Sequence, residues 1–363
     1  MSPDDARPET AGSGDGPAWA VQLLPLTGVP EIVEGADVAG LLSTAADGWG
    51  GLLDGDVLVV SSKVLSKALG LREHGPREEA VERHTVRVVA ERSTATGTTR
   101  VVESVAGPVM AAAGVDASNT GPAGGVLLLP EDPDAAARTL HGQLAALRPG
   151  VSFGLVLSDT AGRPWRSGQT DLALGAHGVR LVDDLRGGTD VDGRALSVTA
   201  RAVGDELAAA ADLVKGKAGA VPAALVRGLA DLLDPEAAGA RSLVRAGPGD
   251  WFALGHREAV RAAMGAAPGT EAARSVGVPS VSPETDQERQ DRAVALALLG
   301  HPGAAVTLDD QDGADGDDPG RPAASARYVV RAPDPVLAGR VAARLEVALA
   351  GEGLTGAVVV AKA

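Results

Sequence analysis

The densest run of chemically capable side chains is Ser158-Asp159-Thr160-Ala161-Gly162-Arg163-Pro164-Trp165-Arg166-Ser167-Gly168-Gln169-Thr170-Asp171. Asp159 and Thr160 offer the oxygen ligands that Mg²⁺ or Mn²⁺ prefers. Arg163 and Arg166 present planar donors suited to a carboxylate or a phosphate. The competing reading is a structural turn with a satisfied Asp and surface arginines. Polar density in a Gly-containing loop on a rigid scaffold favours function over that alternative. Asp116, in Gly114-Val115-Asp116-Ala117-Ser118-Asn119, adds a second carboxylate, although Asp-x-x-Asn is also common in turns.

Lysine usage points to the same chemistry. Of 33 basic residues only five are Lys, and four of them stand in two short segments, Lys63 with Lys67 and Lys215 with Lys217. A compact ammonium is not interchangeable with a guanidinium. Ser61-Ser62-Lys63 follows an apolar run and precedes a helical one, so hydroxyls, a helix start and two lysines make a phosphate cradle. Neither lysine segment is a P-loop, because Gly-x-x-x-x-Gly-Lys-Ser/Thr is absent. His177 is the one histidine near these residues and reads as a loop residue. Together the segments suggest a divalent metal on Asp116, Asp159 and Thr160, with phosphates on the Ser/Lys runs. That describes a nucleoside triphosphate enzyme without separating a kinase from a ligase.

The positioning elements read as α/β. Asp56–Ser61, Val126–Leu129 and Val151–Ser158 are short apolar runs expected as buried strands. Asp132 can cap a helix that opens on Pro133 and stops before Pro149-Gly150. Residues 126–158 therefore read as a βαβ unit, with the polar run at its carboxyl end, where open sheets place ligands. Helices are expected over Thr199–Val214 and Pro222–Leu233. Asp192-Gly193 marks a turn and lacks the ligand pattern of a calcium loop. A boundary is expected near 265–285, followed by a helix at about 284–299, a strand at 328–331, a helix at about 333–350 and a strand at 355–361. Residues 1–17 and the acidic run 308–325 read as disordered.

Composition narrows the class. The chain has 363 residues, 45% of them hydrophobic and only 2% aromatic, so a sizeable core must be built from Ala, Val and Leu. It has no Cys, which excludes disulfides and thiolate chemistry. A net charge of −15 argues against a nucleic-acid partner. No apolar stretch approaches the ~20 residues of a membrane span, and the start of the chain is acidic where a signal peptide would be basic. A soluble, cytoplasmic protein with no membrane partner is expected.

The segments Leu24–Ile32, Asp54–Lys63 with Lys67, Ala113–Asn119, Ser158–Asp171, Asp184–Gly187, Asp205–Ala208 and Lys215–Arg227 resemble, in order and spacing, the coenzyme F420-0:L-glutamate ligase family. The likeness runs from about residue 20 to 260. It implies a two-part α/β ligase domain over 18–265, forming an intertwined homodimer, with 266–363 as a small C-terminal α/β module carrying the acidic linker 308–325. It implies GTP-dependent addition of L-glutamate to coenzyme F420-0 through an acyl phosphate, releasing GDP and phosphate, with later rounds building a γ-linked tail. Asp116, Asp159 and Thr160 match positions that bind two divalent cations, Mg²⁺ or Mn²⁺, and potassium assists. Leu24, Pro25, Leu26, Thr27, Ser62, Lys67 and Asn119 match positions that contact GTP. The stretch with Lys215, Gly216, Lys217, Gly219 and Pro222 matches a further nucleotide-binding loop. Charge type alone assigns Arg163, Arg166 and Asp171 to glutamate or precursor recognition. Two departures stand out. Archaeal relatives carry a metal-ligating amide or carboxylate near Lys217, where an ammonium cannot accept. The C-terminal hundred residues are too short for the flavin-binding reductase domain of related two-domain proteins, and no flavin chemistry is expected. The competing functions are a metal-dependent phosphotransferase on another small carboxylate and a non-catalytic nucleotide-binding module.

Overall fold

The computed structural model describes residues 20–217, 219–309 and 326–361. The tail expected at 1–17 and residues 310–325 of the acidic run lie outside the described residues. The chain divides into two compact units. One holds the described residues up to Thr85 with Ser104–Gly247, and the other holds Val86–Glu103 with the described residues from Pro248 onward.

The first unit is built on a five-stranded mixed sheet. Its elements are β1 (Gln22–Pro25), α1 (Val38–Ala46), β2 (Val57–Ser61), α2 (Ser62–Ala68), α3 (Pro133–Leu147), β3 (Gly154–Arg163), β4 (Arg166–His177), α4 (Val203–Lys215) and β5 (Ala223–Arg227), with strand order β1-β5-β2-β3-β4. β2 and β3 are parallel neighbours, in register from Val57 against Gly154 to Ser61 against Ser158. β2 is an unbroken apolar run because both of its faces are buried. Leu58 and Val60 pack with Leu155 and Leu157 against Leu42 of α1, Leu65 of α2, and Leu140 and Leu144 of α3. Val57, Val59 and Val156 face the other way, onto Val203, Leu207 and Ala211 of α4. Truncating a wholly buried member such as Leu157 to Ala would cost about 2–5 kcal/mol. α3 starts as its sequence implies. Asp132 accepts from Ala135 N at 2.9 Å, Pro133 opens the helix, and Ala137, Leu140 and Leu144 form its buried stripe.

The structure corrects several expectations. The helix expected over 222–233 is instead the strand β5, which lies between β1 and β2. Ala223 to Val226 are buried on both faces, and a short apolar run of that kind carries no period that separates strand from helix. The strand expected at 126–129 shrinks to Val126–Leu127 and pairs with Arg72–Glu73 outside the main sheet, so 126–158 is no βαβ unit. The parallel partner of β3 is β2. The polar run 158–171 is a two-stranded ribbon, with Asp159 opposite Leu172 and Thr160 opposite Asp171, turning at Pro164-Trp165. The helix expected from 199 begins at Val203, because Ala200-Arg201 pair with Asp183-Asp184.

The second unit contains the hairpin strands Thr85–Thr94 and Gly97–Ser104 over the range Val86–Glu103. It continues with α5 (His256–Ala263), a short helix Glu271–Val276, α6 (Asp286–Leu298), β6 (Ala305–Asp309), β7 (Ala326–Arg331), α7 (Pro335–Gly351) and β8 (Gly356–Val360). β7 is central, antiparallel to β6 and parallel to β8. Tyr328 and Val330 on β7 pack against Leu296, Val341 and Leu345 of α6 and α7. A capping box between Thr285 and Glu288 sets the start of α6. Besides the earlier hairpin, this unit holds the described residues from Pro248 onward, a long-range association that loop composition does not register.

Candidate active site

The carboxyl ends of the parallel pair β2 and β3 open onto a cavity of about 520 Å³. Ser61 ends β2 and occupies the N-cap position of α2, which places Ser62 and Lys63 in the helix's first turn and Lys67 in its last. Ser62 is wholly buried, and its Oγ donates to Asp159 Oδ1 at 3.2 Å. Lys63 Nζ reaches Asp116 Oδ2 at 2.5 Å and Ser118 Oγ at 3.1 Å. Asp116 Oδ1 also accepts from Ser118 N at 2.6 Å, an Asx turn that fixes the carboxylate. Lys67 pairs with Glu31. Gly121 passes so near this pair that a Cβ there would meet the Glu31 carboxylate, and its φ of +74° suits only glycine without strain.

On the ribbon, three side chains close around one carboxylate. Asp171 is 4% exposed. Its Oδ1 accepts from Thr160 Oγ1 at 2.8 Å, and its Oδ2 accepts from Ser158 Oγ and Lys215 Nζ, each at 2.8 Å. Lys215 Nζ also donates to Ser158 Oγ at 2.6 Å. Lys215 is the last residue of α4, and Gly216, at φ +57°, turns the chain out of the helix and along the cavity.

The electrostatics follow from these contacts. Burial pushes Asp159 up to about 6, against the Ser62 hydrogen bond and the Lys63 charge. Burial also acts on Asp116 and Asp171, but hydrogen bonds and charge from Lys63 and Ser118 in one case, and from Lys215, Ser158 and Thr160 in the other, outweigh it and hold both below the usual carboxylate range. Asp212, one turn before Lys215, is raised by burial and by the nearby Asp171.

Of the residues singled out in the sequence, Lys67, Asn119, Asp159, Thr160, Asp171, Lys215, Gly216, Lys217 and Pro222 line this one cavity. Ser62 and Asp116 are not part of the lining but hold the lining residues Asp159 and Lys63. Leu24–Thr27 are not part of the wall. Leu26 is fully buried, and the chain reaches the cavity at Val29–Ile32. Gly219 is likewise outside the lining, while Ala220 and Val221 belong to it. Arg163 and Arg166 are exposed at the ribbon tip, away from the cavity. Asp171 faces inward, with both oxygens taken by protein donors. Sequence reasoning missed Glu31 and Asp212. Glu31 lies within the segment Leu24–Ile32, and Asp212 lies three residues before Lys215, so a helical reading that extended past 214 would have put it on the lysine's face.

A sequence profile of the F420-0:gamma-glutamyl ligase family matches residues 28–228. The chain belongs to that family. Among similar proteins, one from Methanopyrus kandleri is 38% identical over 230 residues, covering 59% of this chain and 88% of the relative. One from Halobacterium salinarum is 41% identical over 211 residues, covering 52% and 79%. One from Archaeoglobus fulgidus is 39% identical over 225 residues, covering 58% and 88%. All three are named coenzyme F420:L-glutamate ligase. Membership in the F420-0:gamma-glutamyl ligase family makes the chain an enzyme of that type, and the matched region contains every cavity-lining residue named above. No helix among the described residues is long and apolar enough to cross a membrane.

Proposed function

We propose that this member of the family catalyses GTP-dependent addition of L-glutamate, in one or more γ-linked rounds, to coenzyme F420-0 in the cytoplasm, as a homodimer. The observation that carries the reading is the single cavity in which Asp159, Thr160, Lys67 and Lys217 converge from separate segments. The carboxylate of F420-0 attacks the γ-phosphorus of GTP, the bond from that phosphorus to the GDP oxygen breaks, and an acyl phosphate forms. The amine of glutamate then attacks the acyl carbon, the carbon–oxygen bond to phosphate breaks, and the amine loses a proton as inorganic phosphate leaves.

The residues fit Mg²⁺ or Mn²⁺. Among the described residues no cage of three or more His, Cys, Asp or Glu exists, which suits ions that take one or two carboxylates and complete their shell with water and phosphate. The Lys63 ammonium, which acts on both Asp116 and Asp159, marks the point where positive charge is already favoured. Asp116, Asp159 and Thr160 would hold two such ions, with potassium assisting. Bound there, such ions would supply positive charge to offset that on the transferring phosphoryl group. Lys67 and Lys217 supply positive charge along the phosphates, and the turn at Gly216 exposes backbone to the nucleotide. Asp159 and Ser62 together anchor the start of α2 to the ribbon.

Mass spectrometry of the full chain with F420-0, L-glutamate, GTP, Mn²⁺ and K⁺ tests the reading. Products spaced by one glutamyl residue are expected. GTP cleavage without such products would favour phosphoryl transfer to another carboxylate, and neither reaction in a folded sample would favour a nucleotide-binding module.

A further inference from the structure

The Asp171 contacts carry an inference about how the cation site is held. Asp171 is a buried carboxylate that receives three hydrogen bonds from groups on two elements. An ionised carboxylate can only accept, so the Thr160 hydroxyl must spend its one proton on Asp171. Its lone pairs are then left for the cavity that Thr160 lines. The same carboxylate holds Lys215, the residue from which the 216–222 segment departs. We propose that Asp171 is a positioning residue that fixes the Thr160 hydroxyl as an acceptor toward a divalent cation and ties the 216–222 segment to the same point, rather than a group that touches glutamate or F420-0. This rests on the ligase reading above and adds to it a division of labour: Thr160 faces the ion, Asp171 faces Thr160, and Lys215 neutralises Asp171.

Three of the roughly four acceptor positions of the Asp171 carboxylate are taken by protein donors, with both oxygens engaged, which disfavours it as the partner of a substrate ammonium. Protein groups that orient a metal ligand act through it, and their loss typically weakens metal binding about 10–100-fold. Removing Asp171 alone would strand the Lys215 ammonium in a buried site, which is a folding defect in its own right. The test therefore removes both charges. Asp171→Asn with Lys215→Met keeps an amide oxygen to accept from Thr160. Asp171→Leu with Lys215→Met removes that acceptor.

Mn²⁺ binding is read from the electron paramagnetic resonance signal lost from the free aqua ion, without nucleotide, on the full chain, alongside the thermal melt. The Asn/Met pair is expected to bind Mn²⁺ within about threefold of the parent, and the Leu/Met pair at least tenfold more weakly with a cooperative melt retained. If the Leu/Met pair lacks a cooperative melt, Asp171→Ser with Lys215→Met, whose short side chain cannot span to Thr160, takes its place with the same expected loss. Equal Mn²⁺ affinity in the variants with and without an acceptor overturns the proposal, as does a parent that forms glutamyl product but binds no Mn²⁺. In both cases the ligase reading survives, because it fails only if the parent forms no glutamyl product.

Discussion

Two buried ionic networks in this chain are built on opposite plans. In the second unit, Arg292 lies between Glu284 and Glu352 and gives four hydrogen bonds of 2.6–2.9 Å, two to each carboxylate. In the first unit, Lys215 and Asp171 meet at 2.8 Å, and the remaining places on the carboxylate go to the hydroxyls of Ser158 and Thr160. A guanidinium has five donors in a planar fork and can saturate two carboxylates at once. That network is closed and serves cohesion. An ammonium with hydroxyl partners leaves oxygen lone pairs over, and those of Thr160 face a cavity. The choice of Lys over Arg in an otherwise arginine-rich chain thus separates a network that can present a ligand from one that only holds elements together.

The comparison can be broken at either end. The largest effect is expected in the open network's neighbour. Asp159→Ala should reduce glutamyl product by more than about a hundredfold, by mass spectrometry, because it removes an oxygen for which hydroxyl and ammonium groups are no substitute. In the closed network, Arg292→Met leaves Glu284 and Glu352 without their main counter-charge. A destabilisation of about 3–5 kcal/mol is expected in urea unfolding of the full chain.

The open network's neighbour Asp159 and the closed network also separate by pH. Burial keeps Asp159 protonated up to about 6, so binding a cation below that pH must release its proton. Mn²⁺ affinity should rise about tenfold per pH unit below 6 and flatten above it, measured by titration across pH 5 to 8. Glu284 moves the other way. Burial opposes its ionisation, yet Arg292 and the Ser280 backbone hold it down to about 2, from an ordinary value of 4.5. A depressed carboxylate contributes stability that is fully present above its unfolded value and is lost as pH falls from there through the folded one. Thermal melts should therefore weaken from pH 4.5 toward 2, and Glu284→Gln should flatten that slope.

The smallest effect is expected at the ribbon tip. Arg163→Ala with Arg166→Ala should change kcat/KM for glutamate by no more than about twofold, since neither side chain lines the cavity and exposed substitutions away from a site act weakly. A tenfold loss would instead mean that the tip meets substrate in another copy's cavity.

Much of the site was legible before any coordinates. Asp159, Thr160 and the two lysine pairs stand out by type and spacing, because phosphate and cation chemistry needs particular donors next to small residues, whereas Asn119 and Gly219–Pro222 enter only through the family resemblance. The fold was less legible where burial erases periodicity. Val57–Val60 and Ala223–Val226 are both apolar runs, yet one read as a strand and the other as a helix, because β-branched residues favour strands and alanines suggest helix. In Leu24–Thr27 core and motif overlap. The segment is apolar because Leu26 is core, and the chain meets the cavity only afterwards.

The amino-acid sequence by itself determined the α/β character, the segments that carry chemistry and the family, since each is written in local residue types. Only the tertiary structure decided which of those residues face the cavity. Asp171 looks like a substrate-binding acid in a polar loop, but pairing of the ribbon places it opposite Thr160, and the end of α4 brings Lys215 from 44 residues away. Contacts at that separation depend on how strands and helices pack, which no short stretch of sequence contains.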